Sequence, residues 1–215
     1  MGNNDHFYRL EYKRGEEVRF VSHLDFVKVF ERALRRASVD VAYSEGFNPR
    51  MLLVFGNPLP VGFTSESEFV DIRTTADYDP GKLAEILNGA LPSPVRIKSA
   101  IRLENPYEPI VRSIGFNTYT VFTDAGDSAA EKLICAYESA CRIETVKRSK
   151  SGPKTVDIKA HVRRFFYEGE GRFVIETSGG QENNLRPDTA FKAAAENADC
   201  GGVNILHIRK TASSA

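Results

Sequence analysis

The sequence predicts an α+β fold of two tandem ferredoxin-like (βαββαβ) units with antiparallel sheets. Three observations point to it. The apolar periodicities read strand, helix, strand, strand, helix, strand, and that order recurs in the second half. Period-two alternation is confined to short runs bounded by Gly and Pro, as strands joined by turns require. The 215 residues are better divided between two such units than gathered into one large sheet. The units are expected over 5–104 and 114–211, joined by the connector "ENPYEPIVRS".

The elements follow in order. "HFYRLEYKRG" alternates large and polar side chains and stops at Gly15, a strand ending in a turn. Ser22 is a good N-cap, with Asp25 three residues on and near the first-turn amides. Leu24, Val27, Phe30, Leu34 and Ala37 then recur at three- and four-residue spacing, which predicts a helix over 22–37 with that face buried. Lys28, Arg32, Arg35 and Arg36 fall on the opposite side, and Glu31 is placed to pair with Arg35. "VDVAYS" reads as a short strand broken by "EGFNP". "MLLVFGNPLPVG" begins as a strand and is interrupted by two prolines, and "SEFVDIRTT" alternates more cleanly. "DPGKLAEILNGALP" opens a helix on Pro80, and "VRIKSAIRLE" closes the first unit.

In the second unit "GFNTYTVFT" is a strand, and "DSAAEKLICAYESACR" a helix capped by Asp127 or Ser128. "IETVKRS" and "TVDIKAHVRRFFYEG" are strands, the latter pairing with "GRFVIETS" across a Gly-rich turn. "RPDTAFKAAAENA" is a helix with an early Pro187, and "VNILHIRKT" is the last strand.

Composition narrows the function. Hydrophobic residues make up 41% and charged residues 27%, an ordinary balance for a chain that buries a core. Twenty-nine basic residues cancel twenty-nine acidic ones, so nucleic-acid binding must rely on a local patch. No apolar run approaches the ~20 residues that span a bilayer. Cys135, Cys141 and Cys200 are odd in number and lack CxxC spacing, which argues against a disulfide framework, a zinc ribbon or an iron–sulfur cluster. Small buried thiols are expected at Cys135 and Cys141, and the cytoplasm is the expected compartment. His6, His161 and His207 sit on three separate strands without ligand spacing, so neither a metal nor a cofactor is expected.

Three motifs carry chemistry. His23 lies in the first turn of the first helix, on the side of Val27, Phe30 and Leu34. It is either a satisfied structural residue or a neutral imidazole at a pocket mouth, able to bind or move a proton. In "EGFNP", Gly46 supplies a positive φ, and Asn48 before Pro49 favours an extended or turn conformation. Phe47 there is either a stacking platform or a core residue, and Arg50 follows with a positive charge. In "VKRSKSGPK", Lys147, Arg148, Lys150 and Lys154 crowd a turn without one acid among them. That is either a phosphate-contacting hairpin or a solvated loop.

"RFVSHLDFVKVFERALRRA", "YSEGFNPR" and "PLPVGFTSESEFVDI" resemble the N-terminal half of the radical SAM-linked protein family, a bacterial domain of unknown function. "VDIKAHV" and "NLRPDTAFKAA" resemble its C-terminal half. The resemblance implies a protein found beside, or fused to, a radical SAM enzyme, often near RNA-related genes, with no established activity. It places the family motif on Ser22, His23, Asp25, Glu31, Arg32, Tyr43, Ser44, Gly46, Phe47, Asn48 and Pro49, with Arg186 and Pro187 later. After Pro49 the chain departs: Met51, Leu52 and Val54 stand where the family pattern has a Pro-Lys step and a Ser, so no role for a basic residue in that strand carries over. The expectation is a non-catalytic accessory or substrate-presenting module that binds RNA and works with a separate radical SAM enzyme supplied in trans. One shared site is expected at one end of the first sheet. The alternatives are a metal-independent RNA endonuclease using His23, and a purely structural interaction module.

Overall fold

β1 (His6–Arg14) lies between β3 (Thr64–Thr74) and β4 (Val95–Leu103) and pairs antiparallel with both. The short β2 (Leu53–Phe55) pairs antiparallel with β3, so the strand order is β4-β1-β3-β2. The computed structural model describes residues 5–104, 106–149, 152–180 and 184–214; of Lys147, Arg148, Ser149 and Lys154 it describes the backbone alone. The chain divides into two compact units, Met1–Ile114 and Gly115–Ala215.

Alternation along β1 buries Tyr8, Leu10, Tyr12 and Arg14 on one face of the first sheet. Helices α1 (His23–Arg36) and α2 (Pro80–Ala90) cover that face, and Phe26, Phe30, Leu34, Leu83 and Leu87 complete one core with the strands. Helix α1 starts where it does because Ser22 holds an extended conformation and its Oγ accepts from the Asp25 amide at 3.2 Å. The same hydroxyl donates to Asp25 Oδ2 at 2.8 Å. Asp79 caps α2 in the same way, accepting from the Lys82 amide at 2.9 Å, with Pro80 at the first position. The buried stripe of α1 is Phe26, Phe30, Ala33 and Leu34 rather than the one expected from Leu24. Leu24 is 73% exposed: Phe26, two residues on and the larger ring, takes the core side and turns Leu24 outward.

"VDVAYS" is not a strand. It touches the sheet through one isolated bridge, Val41 to Thr74 of β3; a second bridge, Tyr43 to Met51, closes its own loop, while the second strand of the unit is β2. The short helix α3 (Ile110–Ser113) belongs to the first unit, where the Ile110 amide donates to buried Asp71 at 2.8 Å.

In the second unit β5 (Phe116–Thr123) pairs antiparallel with β10 (Ile205–Ser214) and β9 (Arg172–Ser178), and β9 pairs with β8 (Val162–Gly169). The order β10-β5-β9-β8 repeats that of the first unit, position for position. Helices α4 (Asp127–Ser139) and α5 (Pro187–Asn197) pack through a run of rings: Tyr137 to Phe165 at 4.7 Å, Phe165 to Phe173 at 5.9 Å, Phe173 to Phe191 at 5.1 Å. Between α4 and β8 the chain inserts a separate hairpin, β6 (Glu144–Ser149) and β7 (Gly152–Asp157). The run expected as one strand from Thr155 is cut by a turn of 3-10 helix at Ile158–Ala160, where the Asp157 side chain accepts from the Lys159 amide. Gly126, not Asp127 or Ser128, caps α4. Cys135 and Cys141 are exposed, against expectation, whereas Cys200 is buried. Among the described residues, no helix is long and apolar enough to cross a membrane.

Candidate functional site

The motif block of the first unit resolves into two concavities. The first is a crevice at the start of α1, lined by Tyr12, Arg14, His23, Phe55, Asn57 and Glu68. Its free volume is about 10 Å³, room for about one water. Two charged residues are buried in its wall, Arg14 at the end of β1 and Glu68 on β3, and β1–β3 register sets Glu68 opposite Tyr12. Arg14 spends its donors on the backbone of the turn that leads into α1: Nη2 to Val18 O at 3.0 Å, to Arg19 O at 3.5 Å, and to Val21 O. Its guanidinium also lies 4.7 Å from the centre of the Phe26 ring. Arg14 thus fixes the approach to the Ser22 cap.

His23 stands edge-on to Phe55, with ring centroids 5.6 Å apart. Burial pushes its pKa below the ordinary value and the Arg14 charge adds to that, with Glu68 acting in the opposite sense. The imidazole is therefore held neutral near pH 7. Burial likewise raises the Tyr12 hydroxyl, with the Glu68 charge adding, and lowers the Arg14 pKa.

The second concavity, of about 500 Å³, is lined by Asp5, Tyr43, Ser44, Glu45, Arg73 and Thr75 among others. It lies against a closed loop over residues 44–50. The Leu52 amide donates to Ala42 O at 2.9 Å, and the Ser44 amide to Arg50 O at 2.8 Å. The Arg50 amide returns a bond to Ser44 Oγ at 3.0 Å. Gly46, with φ +112°, makes the turn, and no atom lies near enough to crowd a side chain there, so backbone conformation alone calls for glycine. The product is a ring in water. Phe47 is fully exposed and Tyr43 about half exposed, with Asn48, Pro49 and Arg50 exposed around them.

His23 and Tyr43 line different concavities, so the single site expected for the motif is divided. Asp25 is exposed and serves its own helix, accepting from Ser22 Oγ and from Lys28 Nζ at 3.0 Å; Arg32 is exposed. Arg186 pairs with Asp188, and Pro187 is buried in the first turn of α5. Lys150 lies outside the described residues, as do the side chains of Lys147, Arg148 and Lys154, whose backbone belongs to the β6–β7 hairpin. Among the described residues, no group of three or more His, Cys, Asp or Glu side chains is arranged to hold a metal ion. Arg14, Glu68, Asp5 and Arg73 went unnoticed in the sequence. The first two had a signal: each occupies the apolar register of its strand, Arg14 after Tyr8, Leu10 and Tyr12, Glu68 before Val70 and Ile72.

These elements define a mixed α+β protein with mostly antiparallel sheet pairing. Its particular kind is set by sequence: the chain belongs to the DUF2344 family, described as an uncharacterized protein conserved in bacteria, whose profile matches residues 8–187. Among solved structures it is similar to a chain of a Cbf5-Nop10-Gar1 complex, at 12% identity and a TM-score of 0.50, over 97% of this chain and 48% of that one. The chain thus spans about half the length of that neighbour, and at this identity the likeness is one of fold. An unknown protein from Galdieria sulphuraria aligns over 97% of this chain and 100% of its own, at 13% identity and a TM-score of 0.31. No curated protein matches the sequence.

Proposed function

We propose that the chain is a non-catalytic accessory module that binds RNA and presents it to a separate radical SAM enzyme, on a scaffold of two tandem ferredoxin-like units. One observation carries the reading: loop 44–50 is tied shut by Ser44 and holds Phe47 fully in water. An aromatic ring on a preformed, exposed loop has the form of a stacking platform, and stacking one base on such a ring contributes about 1–3 kcal/mol. Arg50 follows on the same loop and offers a charge to the phosphate backbone. The repeated strand order in the two units supports the tandem scaffold. The radical SAM partner rests on the resemblance at Ser22–Asp25 and Tyr43–Pro49, and the spacing of the three cysteines leaves the cluster to that partner. Presentation is favoured over cleavage because the crevice at His23 has room for about one water and does not admit a ribose phosphate.

The test is filter binding of a mixed single-stranded RNA pool to the wild type and to Phe47→Ala. The variant is expected to bind about 5- to 150-fold more weakly, the equivalent of a single base–ring stack. Stability should stay within about 0.5 kcal/mol, because nothing packs on that ring. Equal binding by the two proteins would end the reading. So would metal-independent cleavage of the RNA that is abolished in His23→Ala, which would install the endonuclease in its place.

A further inference from the structure

The concavity beside Tyr43 has the size of a small-molecule site, about 500 Å³ against a usual range of about 300–1,000 Å³. Its wall is chemically specific. Asp5 and Arg73 form an ion pair there, with the Asp5 side chain 5% exposed. The Arg73 guanidinium lies over the Phe7 ring at 5.4 Å, which fixes its plane. Arg73 Nε is buried and has no hydrogen-bond partner. The Arg73 side chain as a whole is 31% exposed, so part of it is open to a ligand in the concavity.

An Arg donor beside an Asp acceptor matches the edge of a nucleobase, where a ring acceptor and an N–H stand side by side. Tyr43 adds a half-exposed aromatic face, and Ser44 and Thr75 add hydroxyls. Charge then separates base from phosphate. Asp5 and Glu45 outweigh Arg73, so this wall repels an anion but admits a neutral base. A phosphate has its partner outside, on Arg50, whose amide is bound to Ser44 Oγ at 3.0 Å.

We infer that this concavity binds one unstacked nucleobase, carried either on a strand or on a free nucleotide. The inference rests on the RNA reading for its strand source alone. Its test is calorimetric titration of the full chain with the four ribonucleoside 5′-monophosphates and, separately, with inorganic phosphate. At least one monophosphate should bind with a Kd below about 1 mM, and phosphate should not bind. Arg73→Lys keeps the charge but removes the planar guanidinium fork, and should weaken binding about tenfold or more. Tyr43→Ala should weaken it about fivefold or more with an unchanged melting temperature, since the ring is half exposed. The inference is overturned if no monophosphate binds at about 10 mM, or if binding survives both substitutions intact. An RNA oligomer separates the two readings. Oligomer binding that is abolished in Phe47→Ala but untouched by Tyr43→Ala and Arg73→Lys keeps the loop and overturns the strand as the source of the base. Monophosphate binding without oligomer binding keeps the base site and overturns the RNA reading.

Discussion

The crevice at His23 and the concavity at Tyr43 each take one end of the same motif block, yet they are opposite in character. The crevice is narrow, with Arg14 and Glu68 buried in its wall and Arg14 committed to the backbone carbonyls of Val18, Arg19 and Val21. The concavity is wide, and the Tyr43 ring on its wall is about half exposed. Polar residues in a motif block can thus serve architecture at one end and line an open concavity at the other. Residue type does not tell them apart. What does is whether the donors and acceptors are already used within the fold.

The largest expected effect breaks the architectural half. Arg14→Ala strips donors from three carbonyls and leaves Glu68 in a wall without the countercharge it faces. It should destabilise the protein by about 3 kcal/mol or more, read as a shifted urea midpoint. A shift below about 1 kcal/mol would mean that the crevice is not structural.

Next comes the reach of the proposed RNA contact beyond its loop. Replacing Lys147, Arg148, Lys150 and Lys154 together with Ala should weaken RNA binding about tenfold at low salt and flatten its salt slope, by about 0.7 for each phosphate no longer neutralised. Binding at two salt concentrations measures both, and an unchanged slope would confine recognition to the 44–50 loop. Ser44→Ala is the finer probe of that loop, since it leaves the Arg50 amide without its side-chain acceptor. It should cost about 1 kcal/mol of stability and weaken RNA binding without touching Phe47. Full binding in this variant would show that loop closure is irrelevant to the ring.

The smallest effect belongs to His23. Burial and Arg14 depress its pKa in the fold, so the unfolded chain takes up its proton first as pH falls. Its contribution to stability is complete above the ordinary histidine value of about 6.5 and is lost as pH drops through that value and below. Melting temperature should therefore fall between pH 8 and pH 5.5 more steeply in the wild type than in His23→Gln. Parallel curves would remove the imidazole from the account.

Most of the secondary structure was legible because it follows from local rules. Ser22 reads as a cap and acts as one, and the alternation of Tyr8, Leu10 and Tyr12 appears in the burial of β1. The failures are tertiary. Val39 and Val41 look like a strand because they are buried, but they are buried in a connecting segment that bridges to the sheet at Val41 and Thr74 without forming a ladder. Leu24 satisfies helical spacing yet loses the core to Phe26. Cys135 and Cys141 lie in a stretch whose buried face belongs to Ala130, Leu133 and Tyr137. Of the site, the turn could be read from Gly46 and Pro49, whereas the sequence left Phe47 between a stacking platform and the core. Asp5 and Arg73 could not, because their partnership joins β3 to a residue just ahead of β1, and no local pattern marks it.

The Ser44–Arg50 closure also bears on timing. A loop knotted before any partner arrives gives up little conformational entropy on contact, so association should proceed without a slow ordering step. Partners that differ in how well they cover Phe47 should then arrive at similar rates. Their residence times on the protein would carry the discrimination.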